Sequence, residues 1–127
     1  MNILRRRITS LFRILRQSVA SEPVLGIAWY QENQWARLRD VSTDRDRLEP
    51  TFGEWLAVAQ ARYDALSKKE TRVQKVHVDV EDMAAWCRQM GRTVDSEGRT
   101  AYVVYLLTLE KKSLNTKRVI PPAKLLK

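Results

Sequence analysis

Seven consecutive apolar residues, Val24 to Tyr30, constrain this chain more than any other feature. The run is short, rich in strand formers and apolar at odd and even positions alike, so it reads as a buried β-strand. Such a strand has no face to turn to water, and something has to cover it on both sides. Pro23 sets its start, because proline cannot continue a preceding helix and holds Glu22 in extended geometry.

The covering elements are written mostly as helices. Trp35 and Leu38 stand at i, i+3 in a short helix over about 32–41. The polar stretch 42–50, dense in Asp and Arg, then reads as a loop. Thr51 and Glu54 have the spacing of a capping box, in which the hydroxyl accepts from one helix-start amide and the carboxylate reaches back to another. Behind it Phe52, Trp55, Leu56, Ala59, Tyr63 and Leu66 trace one face over four turns, predicting a helix over 52–68 with Lys68 and Lys69 at its negative end.

Arg72–Val80 is expected to be the second strand, with Val76, Val78 and Val80 on one face and Lys75, His77 and Asp79 on the other. Asp79, Glu81 and Asp82 suit a helix start. Met83, Trp86, Cys87 and Met90 follow on one stripe, and Gly91 is placed to end it. A last helix is expected from Asp95-Ser96-Glu97 through Leu109. Tyr102–Leu106 would also make a strand, and the caps and the length decide for helix. Strand, Trp-bearing helix, loop and capped aromatic helix thus occur at 24–67 and again at 73–110, with little identity between the halves.

Before the apolar strand, Leu4, Ile8, Leu11, Phe12, Leu15 and Val19 form one stripe when placed on a helix, with most arginines opposite. The expected architecture is α+β and helix-rich: two short strands packed with about four helices, preceded by a basic amphipathic N-terminal helix. By residues, 1–21 is that helix and a linker, 22–110 a single domain, and 111–127 a basic tail in which Pro121-Pro122 resists regular structure.

The net charge of +8 is unevenly placed. Residues 1–18 carry five arginines (Arg5, Arg6, Arg7, Arg13, Arg16) and no acid, and residues 111–127 carry six basic groups and no acid. Residues 19–110 hold twelve basic and fifteen acidic residues, so the ends attract anions and the body on average does not. No apolar run approaches the roughly 20 residues of a membrane span. The lone cysteine, Cys87, cannot form an internal disulfide, which points to a reducing, cytoplasmic setting.

Chemistry-bearing patterns are sparse. His77, the only histidine, shares the polar strand face with Asp79, a pairing that orients an imidazole for base catalysis but also arises between simple neighbours. Cys87 sits on an apolar stripe, where burial makes a thiol inert. Asp44, Asp46, Glu49 and Glu54 alternate with Arg45 and Arg47 and lack the glycine and spacing of a calcium loop, so local ion pairing explains them. The four tryptophans lie on apolar stripes or in the apolar strand, as core residues do. No catalytic residue, metal ligand, cofactor or small-molecule substrate is inferred.

The candidate contact residues are therefore Arg5, Arg6, Arg7, Arg13 and Arg16, with the stripe Leu4, Ile8, Leu11 and Leu15. They suit an anionic membrane, which would make the protein membrane-peripheral, or a partner helix. Phosphates of nucleic acid fit the same charges, with strong salt dependence. An Arg-rich, acid-free start also matches a transit peptide, and the stripe can equally pack on the body. A non-enzymatic interaction protein is expected. The alternatives are a nucleic-acid-associated accessory protein, or a small enzyme with a scattered site around His77 and Asp79. Because two strands make a marginal sheet, a homodimer or another protein partner is expected to extend it if helices do not cover it.

Gly26–Tyr30, Trp35–Leu38, Glu54-Trp55-Leu56, Val76–Val80 and Ala85-Trp86-Cys87 together resemble a group of short, uncharacterised bacterial proteins. The resemblance spans about residues 24–107 and omits both basic ends. It implies a bacterial cytoplasmic protein and brings no activity or site residues.

Overall fold

In the computed structural model, residues 23–69 and 71–119 are described, with side chains through Leu114. The expected N-terminal helix and the stretch after Val119 lie outside the described residues. Two strands, β1 (Leu25–Trp29) and β2 (Val73–His77), pair in parallel, with Leu25 opposite Val73 and Trp29 opposite His77. Parallel neighbours need a long crossover. It is supplied by a 3₁₀ turn (Glu32–Gln34), α1 (Trp35–Val41), a second 3₁₀ turn (Arg45–Arg47) and α2 (Phe52–Ser67). After β2 come α3 (Val80–Gln89) and α4 (Ser96–Val119). The α+β, helix-rich class is as the residue patterns predict.

The apolar demand of β1 is met by helices on both faces. On one face Trp29 meets Trp55 and Tyr63 of α2, with ring centroids 5.5 and 6.4 Å apart. The Lys75 ammonium lies over both the Trp29 and Tyr63 rings, at 4.3 and 4.8 Å, and donates to Gln60 Oε1 at 3.3 Å. A lysine between sheet and helix is thereby held by ring faces and an amide rather than left without partners.

The other face belongs to α4. Gly26 permits its approach: a Cβ there would lie 2.8 Å from both Leu107 Cδ1 and Val103 Cγ1, and 3.0 Å from Val76 Cγ2. Gly26→Val is accordingly expected to lower stability by about 2 kcal/mol, despite the better strand propensity of valine, because overpacking forces α4 off the sheet. Thermal unfolding checks this, and an unchanged or raised Tm would contradict the close fit.

Local signals set the helix ends. Thr51 Oγ1 accepts from the Glu54 amide at 3.2 Å while Glu54 Oε2 accepts from the Thr51 amide at 3.3 Å, completing the capping box. Asp79 caps α3 by accepting from the Asp82 amide at 2.9 Å. Gly91 takes φ of +67° just after α3, and the Arg92 amide reaches back to the Cys87 carbonyl at 2.8 Å.

Several boundaries differ from expectation. β2 stops at His77 rather than Val80, because the Asp79 cap already starts α3. The last helix does not end near residue 109 but continues to Val119, so the Lys-rich stretch begins helical. Met90 follows the α3 stripe in sequence yet is 58% exposed, because the helix has already ended beneath it.

Candidate functional site

Much of the 42–50 loop is exposed, as its alternating charges suggest, but Asp44 is not paired locally. Asp44 reaches across to α4, where Arg99 Nη1 and Nη2 donate to its two carboxylate oxygens at 2.7 and 2.8 Å. The Ser96 amide donates to Asp44 Oδ2 at 3.0 Å, and Arg99 Nη1 also donates to Ser42 Oγ at 3.2 Å. Both members of the pair are largely covered, with side chains 12% and 15% exposed for Arg99 and Asp44. The hydrogen bonds from Arg99 hold the Asp44 carboxyl below the usual carboxylate range. Farther along the loop, Trp35 Nε1 and Arg39 Nη1 both donate to the Glu49 carbonyl, at 3.2 and 2.8 Å.

Beside this clamp runs a groove of about 370 Å³. Its floor is the edge of β1 that does not face β2. The Leu25 amide donates to Arg72 and the Trp29 carbonyl accepts from Val78, so the peptide groups of Leu25, Ile27 and Trp29 turn toward β2. Those of Gly26 and Ala28 point the other way, into the groove. One wall is α2, through Trp55, Arg62 and Leu66; the other is α4, through Val103, Val104 and Leu107. At one end lies Tyr30, whose hydroxyl is pushed up to about 12 chiefly by burial, with Arg99 opposing and Asp44 adding to the rise. The groove is an apolar channel with a strand edge in its floor, and Arg99 beside it is already committed to Asp44.

The residues considered for chemistry are scattered. His77 is exposed at the end of β2, away from this groove. Asp79 does not orient it: one carboxylate oxygen caps α3 and the other accepts from Gln34 Nε2 at 3.1 Å. These bonds, that from the Asp82 amide foremost, lower the Asp79 pKa. The pairing of His77 with Asp79 as a base dyad is therefore corrected; the strand has ended between them, and Asp79 belongs to a helix start. Cys87 is buried among apolar neighbours and its thiol is pushed up by desolvation, with Arg92 opposing. Among the described residues no cluster of three His, Cys, Asp or Glu side chains could hold a metal.

The tryptophans are structural. Trp35 and Trp55 are buried within a continuous aromatic group with Trp29, Tyr30, Phe52 and Tyr63. Trp86 stacks on Tyr105 at 5.3 Å in a separate group with Tyr102. Neither the β1-edge groove nor the pairing of Asp44 with Arg99 was read from sequence, where Asp44 stood only among the loop acids. The only sequence signal for the groove was the unusual apolarity of β1 itself.

The contact residues expected in the first eighteen positions, Arg5, Arg6, Arg7, Arg13, Arg16, Leu4, Ile8, Leu11 and Leu15, lie outside the described residues. Among the described residues no helix is long and apolar enough to cross a membrane. No protein-family model, curated protein or solved structure matches this chain, so the likeness of residues 24–107 to short bacterial proteins gains no support and carries neither origin nor activity.

Proposed function

We propose that this chain is a non-enzymatic interaction protein, in which the folded body carries basic ends that contact an anionic surface, foremost the headgroups of an anionic membrane. The observation behind this reading is the charge partition: five arginines and no acid in residues 1–18, against fifteen acids and twelve bases in residues 19–110. A body with net charge of about −3 is repelled by an anionic surface, so attraction has to come from the ends. At about 1 kcal/mol for each basic residue near such a surface, five arginines supply up to roughly 5 kcal/mol before ordering costs. Two further features agree with it. Asp79 and Asp44 are held in a helix cap and an ion pair, and Lys111 and Lys112 are exposed on α4.

The test is co-sedimentation with phosphatidylserine-containing vesicles at low salt. Deleting residues 1–21 is expected to abolish binding while leaving the unfolding transition of the body in place. Unchanged vesicle binding by the shortened chain would sink the role of the N-terminal segment. Binding to duplex DNA with a steep salt dependence, but not to vesicles, would transfer the same charges to nucleic acid.

A further inference from the structure

We infer that the β1-edge groove is closed by a second copy of this chain, with the two β1 strands pairing antiparallel across a two-fold axis into a four-stranded sheet, β2-β1-β1-β2. The two edges of the present sheet are not alike. β2 carries Gln74, Lys75 and His77, polar side chains of the kind that blunt a sheet edge, whereas β1 carries none. Gly26 and Ala28 turn their peptide groups into the groove, and the apolar residues Leu25 and Val104 beside it are 46% and 56% exposed. A parallel sheet covered on both faces and cut off at two strands is marginal, and another strand on this edge completes it.

The occupant is argued from the order of charges along the two helices that form the walls. On α2, Glu54, Val58 and Arg62 follow at i, i+4, i+8, with Arg62 lining the groove and Val58 52% exposed. On α4, Glu97, Val104 and Lys111 follow at i, i+7, i+14 on one stripe. Each row has an acid on its N-terminal side, an exposed valine at its centre and a base on its C-terminal side. A two-fold axis that runs β1 against its copy also runs each wall against its copy in reverse. Val58 then meets Val58 and Val104 meets Val104, while Glu54 faces Arg62 and Glu97 faces Lys111 of the other copy, two pairs of each. A surface whose two rows are both self-complementary in reverse is what an isologous contact requires. The dimer also presents two N-terminal segments on one particle, which raises avidity for any extended anionic surface.

The mass in solution tests this, by light scattering on the full chain over 1–100 μM, a range of about two decades around ordinary homodimer affinities. The unmodified chain is expected at twice its 14.8 kDa. Val104→Glu changes an exposed side chain, so the monomer still folds, as its Tm reports, and dimer dissociation is expected at least tenfold weaker. Lys111→Glu weakens the dimer by setting like charges opposite one another, and Glu97→Lys added to Lys111→Glu restores it. A monomeric unmodified chain at 100 μM overturns the inference. So does a dimer indifferent to Val104→Glu, or one that the double charge swap fails to restore.

Discussion

Asp44→Ala is expected to destabilise the body by about 3 kcal/mol, because it leaves the Arg99 guanidinium covered and without its carboxylate. The side chain of Arg99 is 12% exposed, so water replaces little of what is lost. The Ser96 amide at the start of α4 loses its acceptor in the same change. For a body of about this size, 3 kcal/mol corresponds to a Tm lower by on the order of 15 °C. Replacing both members, Asp44→Ala with Arg99→Met, is expected to recover part of the loss, since no charge is then buried alone. An Asp44→Ala chain that melts within a few degrees of the unmodified protein would show that the clamp is only a surface pair.

The same pair contributes to the acid response. The Asp44 carboxyl is lowered from 3.8 by the Arg99 hydrogen bonds, and the Asp79 and Asp95 carboxyls are lowered foremost by the amides of Asp82 and Gly98. Groups with depressed folded pKa values contribute stability that is complete above their unfolded value and lost as pH falls through the folded one. Stability is therefore expected to hold down to about pH 4 and to fall below it. In Asp44→Ala that fall is smaller, because one of the linked protons is gone. Urea unfolding at pH 6 and pH 3 measures both slopes.

Trp55→Ala is expected to cost about 4 kcal/mol, as large-to-small changes at buried aromatics do. Trp55 is 9% exposed and sits at the junction of four rings: Trp29, Tyr30, Trp35 and Phe52, at centroid distances of 5.5, 5.3, 5.3 and 5.4 Å. These rings come from β1, its C-terminal flank, α1 and α2, so removing the indole loosens the contacts of β1 with α1 and α2. A domain has about 5–15 kcal/mol in total, so the variant is left close to unfolding. Trp86→Ala gives the contrast, because Trp86 is only half-buried and contacts α4 alone among ring partners. Equal losses for the two tryptophans would contradict a core centred on Trp55.

These particulars show where the sequence was readable. Caps and stripes are local, and so Thr51 with Glu54, the Asp79 cap and Gly91 all stand where their spacing put them. The choice of helix for residues 100–109 also holds. Tyr102 and Val103 bury toward the body from one face of α4, and Asp95 holds the Gly98 amide at 2.8 Å at its start. Asp44 and Arg99 were not readable as a pair, since 55 residues separate them and the arginines adjacent to Asp44 are nearer decoys. The groove was equally hidden, because it exists only once α2 and α4 flank the same strand edge. For His77 and Asp79, alternation implied one strand face through Val80, but the cap at Asp79, itself legible in the sequence, ends the strand at His77.

The most direct measurement of where anion binding resides is vesicle co-sedimentation of the full chain with Arg5, Arg6, Arg7, Arg13 and Arg16 all replaced by glutamine. This leaves the apolar stripe and the body intact and removes only charge. Binding to phosphatidylserine vesicles at low salt is expected to be lost, with the Tm of the body unchanged. Binding that persists at the level of the unmodified chain would contradict the assignment of anion contact to the N-terminal segment.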